Sequence, residues 1–265
     1  MIFYQPSIDP VVVSLFFFDI RWYSLAYVFS FIIGSILIKN LNRKYLSFLS
    51  EKQIDKFFLW AIIGIIFGGR IGYVLFYQFN YFILDPLYIF KIWTGGMSFH
   101  GGLFGIIISM YFFCKKNNLK FFYLADLVSI VSPIGLFFGR IANFINTELY
   151  GRITDFPFAI IYTKIDMQPR HPSQLYEALF EGIIIFIIIN FFYKNKYYIK
   201  INIFSVFLIL YSSARFLLEF FREPDQHLGF ILGNLTMGQL LSIPMFLVGI
   251  LLLTYGKTSK NKRYY

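Results

Sequence analysis

Residues 57–78 read FFLWAIIGIIFGGRIGYVLFYQ, and this run decides the fold. Its single charge is Arg70, and its length matches the roughly 20 apolar residues a helix needs to cross a bilayer core. Outward from it, six further runs of the same kind lie at about 21–41, 97–114, 121–142, 175–193, 201–220 and 236–256. Composition agrees with this reading. The 265 residues are 58% apolar, 22% aromatic and only 14% charged, whereas soluble domains run near 45–50% apolar and about 25% charged. Such a balance argues against a soluble enzyme, a disordered tail or a coiled coil. The expected fold is an all-α polytopic membrane protein with seven transmembrane helices.

The net charge of +10 then reads as a topology signal. Fifteen of the 24 basic residues lie in or beside four segments: Asn42–Lys56, Lys115–Lys120, Lys194–Lys200 and the tail Lys257–Tyr265. A seven-span alternation places all four on one side, so the positive-inside rule predicts an outer N-terminus and an inner C-terminus. No nucleic-acid partner is expected, and basic residues at the inner leaflet favour anionic membrane lipids. Met1–Asp19 has neither the basic start nor the small-residue cleavage site of a secretory signal. Residues 143–172 are expected to form a small extramembrane head on the outer side, with a strand or hairpin in the alternating run Phe158–Thr163. Span 121–142 carries Asp126, Pro133, Gly135, Gly139 and Arg140, and reads as short, kinked or facing an aqueous cavity. Cys114 is the single cysteine, so no internal disulfide exists and it reads as a small apolar residue at a helix end.

A charge at bilayer depth costs at least about 2.5–3.5 kcal/mol on insertion scales and needs a reason. Arg70, Arg140 and Arg215 meet that test. Each can be a snorkelling span end or half of an internal ion pair, and Glu219 stands one helical turn beyond Arg215. After Arg140 the chain continues Ile-Ala-Asn143-Phe-Ile-Asn146-Thr-Glu148-Leu-Tyr-Gly151-Arg152. In a helix Arg140, Asn143 and Asn146 share one face. A guanidinium beside carboxamides suits recognition of a phosphate or carboxylate, and a helix end wetted by headgroups is the plainer alternative. Trp93–Gly102 places His100 among four glycines, which permits a re-entrant loop. His100 there is either a general base or a satisfied structural residue. His171 and His227 fall on the same outer side without zinc-ligand spacing, so no metal site is expected. The polar stretches Arg170–Glu177 and Phe221–Asp225 read as helix caps or headgroup contacts.

Together these segments resemble the bacterial prolipoprotein diacylglyceryl transferases. The resemblance rests on GRxxNFxNxExxG over Gly139–Gly151, on Trp22-Tyr23, and on the His100-Gly-Gly loop. It rests further on RHPSQLYE over Arg170–Glu177 and on the stretch from Arg215 through Glu219 to Arg222-Glu-Pro-Asp225. It covers most of the chain in order, and Ala142 stands where glycine is common. It implies a seven-span enzyme of the bacterial inner membrane with its active site toward the periplasm. Such an enzyme moves the diacylglyceryl group of phosphatidylglycerol to the lipobox cysteine of a preprolipoprotein signal peptide and releases glycerol phosphate. No cofactor is implied. The resemblance makes Arg140, Arg215 and His100 catalytic candidates. Tyr23, Asn143, Glu148 and Gly151, with Arg140, become binding candidates for phosphatidylglycerol, and Tyr211, Glu219 and Arg222 supporting or gating residues. The competing reading is a transporter or channel in which the buried arginines hold an anionic solute.

Overall fold

The computed structural model describes residues 3–15, 18–46, 49–197, 201–224, 229–231 and 233–258. Asp225, His227, Lys200 and most of the basic tail lie outside the described residues. The chain is mostly helical. Five helices are long and apolar enough to cross a membrane: Trp22–Lys44, Glu51–Tyr77, Phe121–Asn146, Ser173–Lys194 and Met237–Tyr255. Ile203–Leu218 is apolar but shorter. The chain divides into two compact parts, Ser35–Leu127 and Met1–Gly34 with Val128–Tyr265.

In Ser35–Leu127, α2 (Glu51–Tyr77) begins at a capping box. The Ser50 hydroxyl accepts from the Gln53 N–H at 3.2 Å, and the Gln53 side chain accepts from the Ser50 N–H at 2.8 Å. The α2 helix packs on α4 (Phe99–Lys116) backbone against backbone. A Cβ at Gly105 would lie 1.9 Å from the Gly64 carbonyl oxygen, and one at Gly101 would lie 2.2 Å from that of Gly68. Without side chains between them the helices approach closely, as small residues allow in lipid. Between α2 and α4 come α3 (Phe79–Leu84) and two short 3₁₀ turns. Arg70 ties this loop down from α2. It is 1% exposed and donates to the carbonyls of Tyr88 at 2.9 Å, Ile89 at 3.4 Å and Gly95, and to the Thr94 hydroxyl at 3.0 Å. Its guanidinium also lies 4.8 Å from the centre of the Tyr88 ring. Carbonyl dipoles and the Thr94 hydroxyl therefore balance this buried charge among the described residues. The clasp ends beside Ser98, whose hydroxyl caps α4 by accepting from Gly101 at 3.2 Å. His100 sits exposed in that first turn.

In the other part, α5 (Phe121–Asn146) runs through Pro133 without a break and ends four residues past the expected boundary. α6 (Ser173–Glu177), a π-helical segment (Ala178–Ile184) and α7 (Ile185–Lys194) run on as one helix. α8 (Ile203–Leu218) and α9 (Met237–Thr258) pack together. The Phe158–Thr163 run yields a strand of only two residues, β4 (Ile160–Ile161). It pairs antiparallel with β5 (Pro169–Arg170) and parallel with β1 (Phe3–Tyr4) from the N-terminus. A second hairpin, β2 (Val11–Leu15) and β3 (Phe18–Arg21), leads into α1 (Trp22–Leu41). Gln5 anchors the N-terminal segment by donating to the Phe144 carbonyl and accepting from the Thr147 hydroxyl at 3.0 Å.

Arg170 clamps the segment after α5. It meets Asp166 at 2.6 Å, the Gly151 carbonyl at 3.1 Å and Glu223 at 3.3 Å, and stacks over Tyr150. His171 sits half-buried among Phe156, Tyr176 and Phe221. Burial pushes its pKa down, so the ring stays neutral at pH 7 and serves packing.

Adding one methyl at Gly105 forces α2 and α4 apart. Gly105→Ala is expected to cost about 1–3 kcal/mol, read as a lower thermal midpoint in detergent. An unchanged midpoint would show that the helices do not touch at this point. Arg170→Ala is expected to cost about 1–3 kcal/mol at pH 7. Arg170 holds the Asp166 carboxyl below the usual range. The pair therefore stabilises the segment after α5 above about pH 4, and that contribution fades as pH falls through the lowered value. The gap between wild type and variant should narrow in acid, and a gap that widens there contradicts the pairing.

Candidate active site

α5, the α6–α7 helix and α8 bring five charged side chains into one buried cluster. Glu177 lies at the centre, fully buried. Its Oε2 is 2.9 Å from Arg140 Nε, and its Oε1 accepts from Arg215 Nη1 at 2.7 Å. Glu181, one turn on and also fully buried, accepts through Oε2 from Arg140 Nη2 at 3.0 Å. Arg215 Nη2 lies 2.6 Å from Glu219 Oε2, the pairing their spacing predicts. Two glycines make room. A Cβ at Gly182 would press on Phe137 of α5 at 2.7 Å, and one at Gly238 of α9 would meet the Glu219 carboxylate at 2.9 Å.

Glu177 is thus the internal anion on which two guanidiniums from different helices converge. Isolated, each of these charges would cost several kcal/mol at this depth. Paired, they hold one another in a fixed geometry and a low dielectric. Arg140 and Arg215 remain 14% and 12% exposed, so an edge of each faces outward from the cluster. Arg140 Nη1 and Arg215 Nε make no hydrogen bond to the described residues. Tyr211 of α8, half-buried, lies within electrostatic range of both arginines, and buried Arg222 within range of Glu177. The chemical capacity is clear: two fixed cations with donors to spare can take an anionic oxygen.

A second polar group sits at the end of α5, one turn from Arg140. Asn143 donates to the Tyr23 hydroxyl and to Glu148 Oε2 at 3.2 Å, and Tyr23 donates to the same oxygen at 3.2 Å. Asn146 donates to Glu148 Oε1 at 3.4 Å. Asn143 is buried while Glu148 is exposed, so the group spans from interior to surface. The helical face expected of Arg140, Asn143 and Asn146 thus divides its work between two clusters. Gly151 pairs with Arg222 across a short bridge, and a Cβ there would lie 2.2 Å from the His171 carbonyl oxygen. Its lack of a side chain lets these strands close. His100 stands in the other compact part, at the start of α4.

Sequence reasoning passed over Glu181 altogether and read Glu177 only as part of a capped helix start. Their signal was present: two glutamates four apart in a run otherwise apolar, caught by the same cost-of-burial test that singled out the arginines. Among the described residues no group of three or more histidine, cysteine, aspartate or glutamate side chains is arranged to hold a metal ion.

Comparison with known proteins gives a consistent result. Residues 10–255 match the family described as prolipoprotein diacylglyceryl transferase. The phosphatidylglycerol–prolipoprotein diacylglyceryl transferase of Rickettsia typhi is 50% identical over 246 residues, covering 92% of this chain and 95% of that protein. The protein of the same name from Vibrio parahaemolyticus is 46% identical over 250 residues, covering 94% and 91%. That of Aeromonas hydrophila is 47% identical over 247 residues, covering 93% and 90%.

Removing Glu177 leaves two buried guanidiniums short of their shared partner. Glu177→Ala is expected to destabilise the protein by about 3–5 kcal/mol, and Glu177→Gln by less, since the amide oxygen still accepts a hydrogen bond. Thermal unfolding of the purified variants measures both. Equal midpoints for Glu177→Ala and wild type would remove the bridging role.

Proposed function

This chain belongs to the prolipoprotein diacylglyceryl transferase family, and we infer that its Arg140–Arg215 cluster is where the lipid substrate is activated. The enzyme is a membrane transferase that moves the diacylglyceryl group of phosphatidylglycerol to a prolipoprotein. The observation that carries the site assignment is the convergence of Arg140 and Arg215 on Glu177 with donors left over.

The chemistry follows from the bonds that change. The lipobox thiol attacks the primary carbon that carries the phosphate. A carbon–sulfur bond forms, the carbon–oxygen bond breaks, and glycerol phosphate leaves with the electron pair. A free thiol is only a few per cent thiolate at pH 7, and the leaving group gains negative charge. Arg140 and Arg215 stabilise that charge from fixed positions in a low-dielectric site. His100 takes the thiol proton. Asn143, Glu148 and Tyr23 bind the hydroxyls of the glycerol headgroup, supported by their hydrogen-bonded arrangement one turn from Arg140. Gly151 lets the neighbouring strands close beside them, while Tyr211, Glu219 and Arg222 shape the cavity. Cys114 takes no part.

The seven apolar runs and the one-sided basic segments support seven spans, with the N-terminus outside and the C-terminus inside. They support a site facing the periplasm in the bacterial inner membrane. Family membership does not favour the alternative of an anion transporter.

Purified variants incubated with phosphatidylglycerol and a lipobox peptide test these roles, with released glycerol phosphate counted. Arg140→Ala and Arg215→Ala are each expected to lose about 10²–10³-fold in turnover, and wild-type release by either would sink the phosphate role. His100→Asn is expected to lose activity that high pH restores, because a pre-ionised thiol needs no base. Full activity at pH 7 removes that assignment.

A further inference from the structure

The side-on donor pair of Arg140 is already engaged in the protein itself, while Arg140 Nη1 and Arg215 Nε make no hydrogen bond to the described residues. A phosphate grips a guanidinium best through two adjacent N–H groups. On Arg140 the Nε and Nη2 pair is hydrogen-bonded to Glu181 Oε2, at 3.2 and 3.0 Å, and Glu177 Oε2 also stands 2.9 Å from the Nε. Access to it therefore needs a carboxylate to leave. The three glutamates are not held equally. Glu177 is gripped by both arginines, and Glu219 contacts Arg215 at 2.6 Å. Glu181 accepts through one oxygen only and from Arg140 alone, and like Glu177 and Glu219 it has one buried oxygen without a hydrogen bond. That oxygen, Oε1, stands 3.8 Å from Arg215 Nη1. Glu181 also lies in the π-helical segment Ala178–Ile184, a form rare in proteins and frequent at functional sites.

We propose that Glu181 is a displaceable counter-ion that keeps the phosphate's place on Arg140 and takes up a proton when the lipid phosphate displaces it. The reason is charge. Glu181 is faced by Arg140 from α5, by Arg215 and Tyr211 from α8, and by Glu177 on its own helix, and Glu219 pairs with the same Arg215. Arg222 lies near Glu177. Bringing in a phosphodiester anion adds a negative charge to a site where three carboxylates already face Arg140 and Arg215, and a carboxylate released from its guanidinium in this fully buried position is costly. Proton uptake from the aqueous side removes the conflict.

The proton has an onward route that balances. When the carbon–oxygen bond breaks, the phosphate oxygen keeps the electron pair and becomes a monoester with a second ionisation near pH 6. The Glu181 carboxyl passes its proton to that oxygen. The carboxylate then returns to Arg140 and displaces the product. This step rests on the phosphate-binding role given to Arg140 and Arg215.

The test is calorimetric titration of the full-length enzyme in detergent with short-chain phosphatidylglycerol, without a peptide acceptor, in buffers of different ionisation enthalpy at pH 7. Wild type is expected to take up about one proton per lipid bound, and Glu181→Gln to bind with uptake near zero. Binding without uptake by wild type, or equal uptake by Glu181→Gln, overturns the proposal and leaves the arginine site intact. Binding undiminished in the Arg140→Ala, Arg215→Ala double variant overturns the arginine site instead. If Glu181→Gln does not fold, infrared difference spectra on lipid addition decide. A new protonated-carboxyl band in wild type that shifts in Glu181→Asp supports the proposal, and its absence or an unshifted band refutes it.

Discussion

Glu177, set between Arg140 and Arg215, is the interaction on which the rest of the site depends. A lone carboxylate at this depth would be strongly disfavoured, and so would either arginine. Together they form an ion-paired unit that ties α5, the α6–α7 helix and α8 to one point. In the proposed reaction the same unit answers a problem of catalysis. Positive charge meant for a transition state must exist before substrate arrives and must not reorganise when it does. Internal glutamates keep the arginines charged and aligned.

The surrounding architecture serves that alignment. Gly182 and Gly238 are positions where a side chain would push a neighbour off the cluster. The segment after α5 is closed by Arg170 and by the N-terminal strand, which hold the end of α5 where Asn143 meets Tyr23 and Glu148. In Ser35–Leu127 a different device does comparable work. Arg70 is buried against carbonyl dipoles and fixes the loop that leads to Ser98 and His100. Arg140 and Arg215 in ion pairs and Arg70 in a carbonyl cage show that a single residue type can be balanced in two ways.

The legibility of these features follows from range. Arg140 and Arg215 stood out because a charge in an apolar run is visible without partners, and the Arg215–Glu219 pair because both lie on one helix. Arg70 was visible as an anomaly, but its partners are backbone carbonyls of residues 88–96, which have no sequence signature. Glu181 went unseen because attention followed cations, although its own run carried the sign. The strand in the Phe158–Thr163 run was anticipated, but its parallel partner Phe3–Tyr4 was not, since alternation over two residues carries no information.

By itself the sequence determined the membrane character, the helical segments and the residue types of the site, because hydrophobic runs and the cost of burying charge are local properties of the chain. Five helices of sufficient length and hydropathy in the structure agree with that much. Only the tertiary structure decided which charge faces which. Arg140 and Glu181 are 41 residues apart and Arg215 and Glu177 are 38 apart, and no local rule joins them. They meet because three helices pack closely enough that an unmatched charge would be intolerable, and pairing is a property of that packing.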